Sequence, residues 1–288
     1  MFISDAVQFV DTTLRDGEQA AGIAFSPEEK LAIAQALDQA GVPYIEAGMP
    51  AMGGSEFQAL RSIVQANLKA RIVSWNRAVK EDILTSIRCG FSDVHISVPV
   101  SQAHIMLKLR KSQEWILKRL QECIGLATSY GCTVSVGAED ASRADADFFL
   151  RVADMAARMG AVRIRYADTI GCLTPFQSYN VMRALQADCA LPIEFHAHND
   201  FGLATANTLA AVRAGISLVS VTVTGIGERA GNAPLEEVTA ALSTLYGCAT
   251  GIDMNLVASL CMLVENASAR PNFEYKPCSG KRMLLTAK

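Results

Sequence analysis

The sequence predicts an α/β protein, a (β/α)8 TIM barrel ending in a short truncated C-terminal tail. Three observations point there. Apolar, β-rich runs alternate with helical stretches in units of about 30 residues repeated about eight times, the signature of such a barrel. Polar residues of catalytic type cluster just after those runs, where barrel chemistry is placed. No Gly-x-Gly-x-x-Gly follows the first run, which disfavours the runner-up, a doubly wound open sheet.

The β-rich runs lie near residues 7–12, 43–48, 70–75, 92–98, 132–137, 162–167, 192–197 and 217–223. Helical stretches fall between them, for example at 27–40, 112–130, 144–159, 174–188 and 201–214. Ser26-Pro27-Glu28-Glu29 opens the first of these with an N-cap, a proline at the first helical position and acids in the first turn. Gly41, Gly131, Gly160 and Gly215 each follow a helical stretch, where a left-handed cap is wanted. Residues 1–265 form the expected catalytic domain. Residues 266–288 break the pattern: Ala267 to Asn272 reads as a helix exit, and the remainder is short, mixed and basic.

At 288 residues and 50% hydrophobic, the chain can bury a large core. A net charge of −3 gives no reason to expect a nucleic-acid or membrane-surface partner. Eight cysteines form no CxxC pair and sit in apolar segments, which reads as reduced, mostly buried thiols. With no signal-peptide pattern and no long apolar stretch, a soluble cytoplasmic protein is expected.

Asp11-Thr12-Thr13-Leu14-Arg15-Asp16-Gly17-Glu18-Gln19 and His196-Ala197-His198 carry the chemistry. On a strand the two histidines share a face. With the Asp16 carboxylate they form a ligand set for a divalent metal, leaving positions open for a chelating 2-oxo acid. A pairing of Asp16 with Arg15 is set aside, since adjacent residues seldom face each other. Arg15 suits an oxyanion, or an ion pair with Glu46 or Glu139. Thr169 reads either as a carboxylate cradle or as a helix cap. Glu139 either meets substrate or pairs with Arg143 at i, i+4. Asn232, ending the loop Gly225 to Asn232, offers an amide oxygen to the metal or to a water on it. His95 reads as a core histidine, and His104, near Lys108, Arg110 and Lys111, as part of a solvated face.

The first motif, His196-Ala-His-Asn-Asp-Phe-Gly-Leu-Ala-Thr-Ala-Asn207 and Gly227-Glu-Arg-Ala-Gly-Asn232 together resemble the acyl-CoA-dependent synthases of the barrel metallolyase superfamily. These include isopropylmalate, citramalate and homocitrate synthases. Gly137 to Asp145, Arg165 to Thr169 and Ser74 to Arg77 resemble the nitrogen-fixation type of homocitrate synthase. That resemblance implies condensation of acetyl-CoA with 2-oxoglutarate, with isopropylmalate- or citramalate-type activity as the alternative. It implies Asp16, His196 and His198 as metal ligands, with Asn232 at or next to the metal (Mg²⁺, Mn²⁺, Zn²⁺ or Fe²⁺). Arg15 polarises the ketone, Gln19, Glu46 and Thr169 position the oxo acid, and Glu139 lies in the substrate pocket as a second catalytic residue. The lyase branch is similar through a cysteine in the loop after the eighth strand; here that loop has none. The family also implies a linker region with a His-Glu-x-Gly-Ile-His-like motif. Cys278 to Met283 shows no such motif, so the tail reads as a remnant of that linker. The barrel is then expected as a homo-oligomer, or as a subunit completed by a companion C-terminal chain.

Overall fold

A computed structural model describes residues 6–280. Eight parallel strands pair in chain order: β1 (Gln8–Asp11), β2 (Tyr44–Gly48), β3 (Arg71–Arg77), β4 (Asp93–Pro99), β5 (Thr133–Glu139), β6 (Arg163–Asp168), β7 (Ile193–Ala197) and β8 (Leu218–Val221). The eighth returns to the first, with Gln8 opposite Leu218 and Asp11 opposite Val221. That closure settles the barrel against the open sheet. Around it run α1 (Pro27–Gln39), α2 (Gly54–Gln65), α3 (Lys80–Cys89), α4 (Gln113–Ser129), α5 (Ala146–Arg158), α6 (Pro175–Asp188), α7 (Ala204–Arg213) and α8 (Leu235–Tyr246). A ninth helix, α9 (Met254–Ser268), packs against α1 and α8.

The local signals act as expected. The Ser26 hydroxyl accepts from the Glu29 N–H while the Glu29 carboxylate accepts from the Ser26 N–H, a reciprocal capping box. Gly41, Gly131, Gly160 and Gly215 all have positive φ, the left-handed turn that ends each preceding helix. Glu46 lies in the middle of β2, and β3 runs two residues past the expected end at 75, taking in Asn76 and Arg77.

Strand alternation separates two environments. Phe9, Ile45, Val94, Ile96, Val134, Val136, Ile164, Phe195 and Val219 join the apolar layer with the helices. The alternate positions fill the barrel interior, and many are polar: Glu46, His95, Ser135, Arg163, Arg165, Glu194 and Ser220 are all buried. They satisfy one another. Glu194 accepts from Arg163 at 2.9 Å, from Arg165 at 2.6 Å and from Ser220 at 2.6 Å, and Arg165 reaches Glu46 at 2.7 Å. Burial opposes ionisation of Glu194, but Arg165 and Arg163 outweigh it and bring its carboxyl down to about 2. The barrel floor is therefore a charged lattice, which resists rearrangement because any lost partner strands a buried charge.

Five of the eight cysteines are buried; Cys172 is exposed, and Cys189 and Cys278 are intermediate. Among the described residues no helix is long and apolar enough to cross a membrane. α9 ends at Ser268, with Ala269 in the left-handed region, so the expected helix exit is present. Lys281, Arg282 and Met283 lie outside the described residues.

Candidate active site at the barrel mouth

The C-terminal ends of the strands open into a cavity of 590 Å³. Its lining includes Arg15, Asp16, Gln19, Glu139, Thr169, His196 and His198, seven of the nine residues singled out in the sequence. Glu46 and Asn232 stand just behind that wall.

Arg15 and Asp16 come from a tight turn after β1, in which the Thr12 carbonyl accepts from the N–H groups of Arg15, Asp16 and Gly17. The turn swings both side chains toward the mouth, and Arg15 Nη1 lies 2.8 Å from Asp16 Oδ2. The pairing set aside in the sequence is therefore made, alongside the expected ion pair of Arg15 Nε with Glu46 Oε1 at 2.5 Å. Burial is the largest single influence on both carboxyls and pushes each up, but the neighbouring charges together outweigh it. Arg15 with His196 and His198 holds Asp16 well below its ordinary value, and Arg15 with Arg165 does so for Glu46. The Arg15 guanidinium also lies over the Trp75 ring at 5.6 Å.

Asp16, His196 and His198 each offer a ligand atom within 4.8 Å of the others. The Nε2 atoms of the two imidazoles face each other at 3.2 Å, and His196 Nε2 lies 3.4 Å from Asp16 Oδ2. Burial, then the neighbouring His196, pulls His198 down to about 4, so at neutral pH it presents the unprotonated ring that ligation needs. Asn232 donates through Nδ2 to Asp16 Oδ1 and to the Ile226 carbonyl, both at 3.1 Å. Its Oδ1 is buried without a hydrogen-bond partner. An orphaned buried acceptor costs about 1–3 kcal/mol, a cost that a cation removes. One carboxylate, two imidazoles and a free amide oxygen fit a divalent cation.

Around this cluster the other residues fall into place, with corrections. Thr169 does not cap a helix, since α6 begins at Pro175 under its own Thr174 cap. Its hydroxyl accepts from the Asp140 N–H at 2.8 Å, and its carbonyl accepts from Arg229 at 2.6 Å. Glu139 does not pair with Arg143, which binds Asp140 instead. Glu139 accepts from His104 Nδ1 at 2.8 Å and Lys108 Nζ at 3.1 Å. His104 is thus not on a solvated face: it opens a π-helical segment, His104–Leu109, that turns it into the cavity. His95 is buried and bonded to Ser135 Oγ at 2.9 Å as expected, yet it also lines the cavity floor.

Arg165 is the residue that sequence reasoning missed. Arg163-x-Arg165 and Glu194-x-His196 carry the same two-residue period that singled out the histidines, and their register places Arg165 opposite Glu194.

Residues 6–264 match the HMGL-like family. The chain belongs to that family. It is 50% identical over 258 residues to homocitrate synthase 1 of Nostoc sp., covering 90% of this chain and 68% of that protein. It is 47% identical to 2-isopropylmalate synthase 2 of Caldanaerobacter subterraneus, covering 96% of this chain and 72% of that one. Homocitrate synthase subunit alpha of Clostridium pasteurianum is 43% identical, covering 84% of this chain and 90% of the subunit. Among solved structures, hydroxymethylglutaryl-CoA lyase from Pseudomonas aeruginosa superposes with a TM-score of 0.87 over 100% of both chains at 20% identity, a shared fold.

Proposed function

We propose that this HMGL-like chain is the barrel of a metal-dependent homocitrate synthase, which joins acetyl-CoA to 2-oxoglutarate and releases CoA. The observation that carries the reading is the buried set Asp16, His196, His198 and the unpartnered Asn232 Oδ1, placed beside Arg15 in one cavity. The choice of acid draws on the relatives named homocitrate synthase. Residues 1–265 act as the catalytic domain and 266–288 as its tail.

A divalent ion held by these residues supplies Lewis-acid polarisation of the ketone; Mg²⁺, Mn²⁺, Zn²⁺ and Fe²⁺ all accept such ligands. The chain's own groups do the rest. Thr169 and Gln19 hold the carboxylate of the acid. Arg15 stabilises the alkoxide that forms at the ketone oxygen. Glu46 acts through Arg15, whose guanidinium it orients from behind. Glu139, bonded to His104, handles the proton at the mouth. The methyl carbon of acetyl-CoA loses a proton and its electron pair bonds to the ketone carbon. The carbonyl pair moves to oxygen, which is protonated, and water then cleaves the thioester.

The test is thiol release from acetyl-CoA by the purified chain with Mn²⁺, offering 2-oxoglutarate, 2-oxoisovalerate or pyruvate. Release with 2-oxoglutarate, lost in His196→Ala, is the expected outcome. Release with 2-oxoisovalerate or pyruvate alone moves the chain to the isopropylmalate or citramalate type. A second reading, a barrel completed by a companion chain, is favoured by the likeness to a protein named subunit alpha. Under it, release requires the C-terminal region of the Nostoc relative added as a separate polypeptide. No release under either condition refutes both.

A further inference from the structure

Thr224, just after β8, has φ 59° and ψ 4°, a left-handed conformation that β-branched residues rarely hold. It persists because both flanking peptide groups are clamped. Its N–H donates to Glu236 Oε2 at 3.0 Å, and its carbonyl accepts from Lys276 Nζ at 2.5 Å. Glu236 is fully buried in the first turn of α8, where Lys276 Nζ meets its Oε1 at 2.7 Å and Ser279 Oγ donates to the same oxygen at 3.2 Å.

The next two residues set the position of Asn232. The Gly225 carbonyl accepts from the Asn232 N–H at 3.0 Å, and the Ile226 carbonyl accepts from Asn232 Nδ2 at 3.1 Å. The two limbs of this loop pass so close that a Cβ on Gly231 would sit 2.0 Å from the Gly225 carbonyl oxygen. Any turn of the backbone at Thr224 is therefore transmitted to the Asn232 amide. The tail is anchored at its other end too. Arg270 donates to the Ala21 carbonyl, in the loop after β1, at 2.5 Å, and Asn272 donates to Glu265 at 2.5 Å.

We propose that residues 270–279 form a strap from the loop after β1 to the loop after β8, with Lys276 and Glu236 as positioning residues for the Asn232 amide. Neither residue lines the cavity. They act by holding Thr224 in its costly conformation, so that the Asn232 oxygen stays aimed beside Asp16. This rests on the metal reading of the site, and the test separates the two.

Lys276→Met alone leaves Glu236 as an uncompensated buried charge, so the variant of choice is Lys276→Met with Glu236→Gln, which removes both charges together. Amide hydrogen exchange of residues 225–232 and Mn²⁺ affinity are measured in the wild type, in this pair, and in the pair carrying Thr224→Gly. The pair should speed exchange in the loop, leave β4 and β5 unchanged, and weaken Mn²⁺ about tenfold, the lower end of what loss of an outer-shell partner costs. Thr224→Gly should return both toward wild type, because glycine holds positive φ without penalty. Wild-type loop exchange in the pair overturns the strap. So does faster exchange that glycine fails to reverse, which would make the ion pair a mere staple. If the wild type itself does not bind Mn²⁺, the metal reading fails, while the exchange data still judge the strap.

Discussion

Asp11 ends β1 fully buried, with Oδ1 accepting from the Thr13 N–H at 2.9 Å and Oδ2 unpartnered. Burial is the main force raising its carboxyl to about 7, against a reference of 3.8; Thr13 opposes the rise, and Glu236 and Glu46 add to it. A raised folded-state value stabilises the fold fully below the unfolded value, and that stability is lost as pH climbs through the folded value. The window is therefore 3.8 to about 7, with stability falling throughout and flat above. At about 1.36 kcal/mol per unit, the two units between pH 5 and 7 remove about 3 kcal/mol. Asp11→Asn cannot ionise and lacks this loss. Urea denaturation of both proteins at pH 5, 6, 7 and 8 isolates the effect, because every other titrating group cancels in the difference. The asparagine variant should gain about 3 kcal/mol on the wild type between the ends of that series. Parallel curves would refute the argument and show that Asp11 ionises as freely folded as unfolded.

Gly227→Ala tests the packing of the ligand set: its Cβ would lie 2.1 Å from Asn232 Nδ2 and 3.4 Å from Asp16 Oδ1. Mn²⁺ titration should show affinity at least about tenfold weaker, with little change in melting temperature; unchanged affinity would remove Asn232 from the site. Arg165→Met takes from Glu46 and Glu194 the arginine they share, leaving Arg15 on one and Arg163 on the other, and should cost about 3–5 kcal/mol in chemical denaturation. A loss below about 1 kcal/mol would mean that Arg15 and Arg163 alone suffice for the two carboxylates.

The barrel was legible because its strands are short apolar runs and its helices carry explicit caps, as at Ser26 and Gly41. The histidine pair was legible for a similar reason, since alternation is a local property. What escaped depends on how the chain turns. Arg15 and Asp16 face each other because three N–H groups converge on the Thr12 carbonyl and fold the backbone back, which the rule for extended neighbours does not anticipate. Thr169 sits too early to cap α6 because Asp168 holds the intervening turn, accepting from the N–H groups of Cys172 and Leu173. His104 turns inward through a π-helical segment that has no compositional signature.

Charge is balanced locally at the mouth. The cavity lining carries Arg15, Lys108, Arg165 and Arg229 against Asp16, Glu139 and Glu228. Behind it Glu46 meets Arg15 and Arg165, Glu194 meets Arg165, and Asp200 meets Arg229. This explains how a mouth built around Arg15, Arg165 and Lys108 can remain stable before substrate arrives: each of these cations already lies against a carboxylate, Glu46 or Glu139, that orients it without consuming its reach into the cavity.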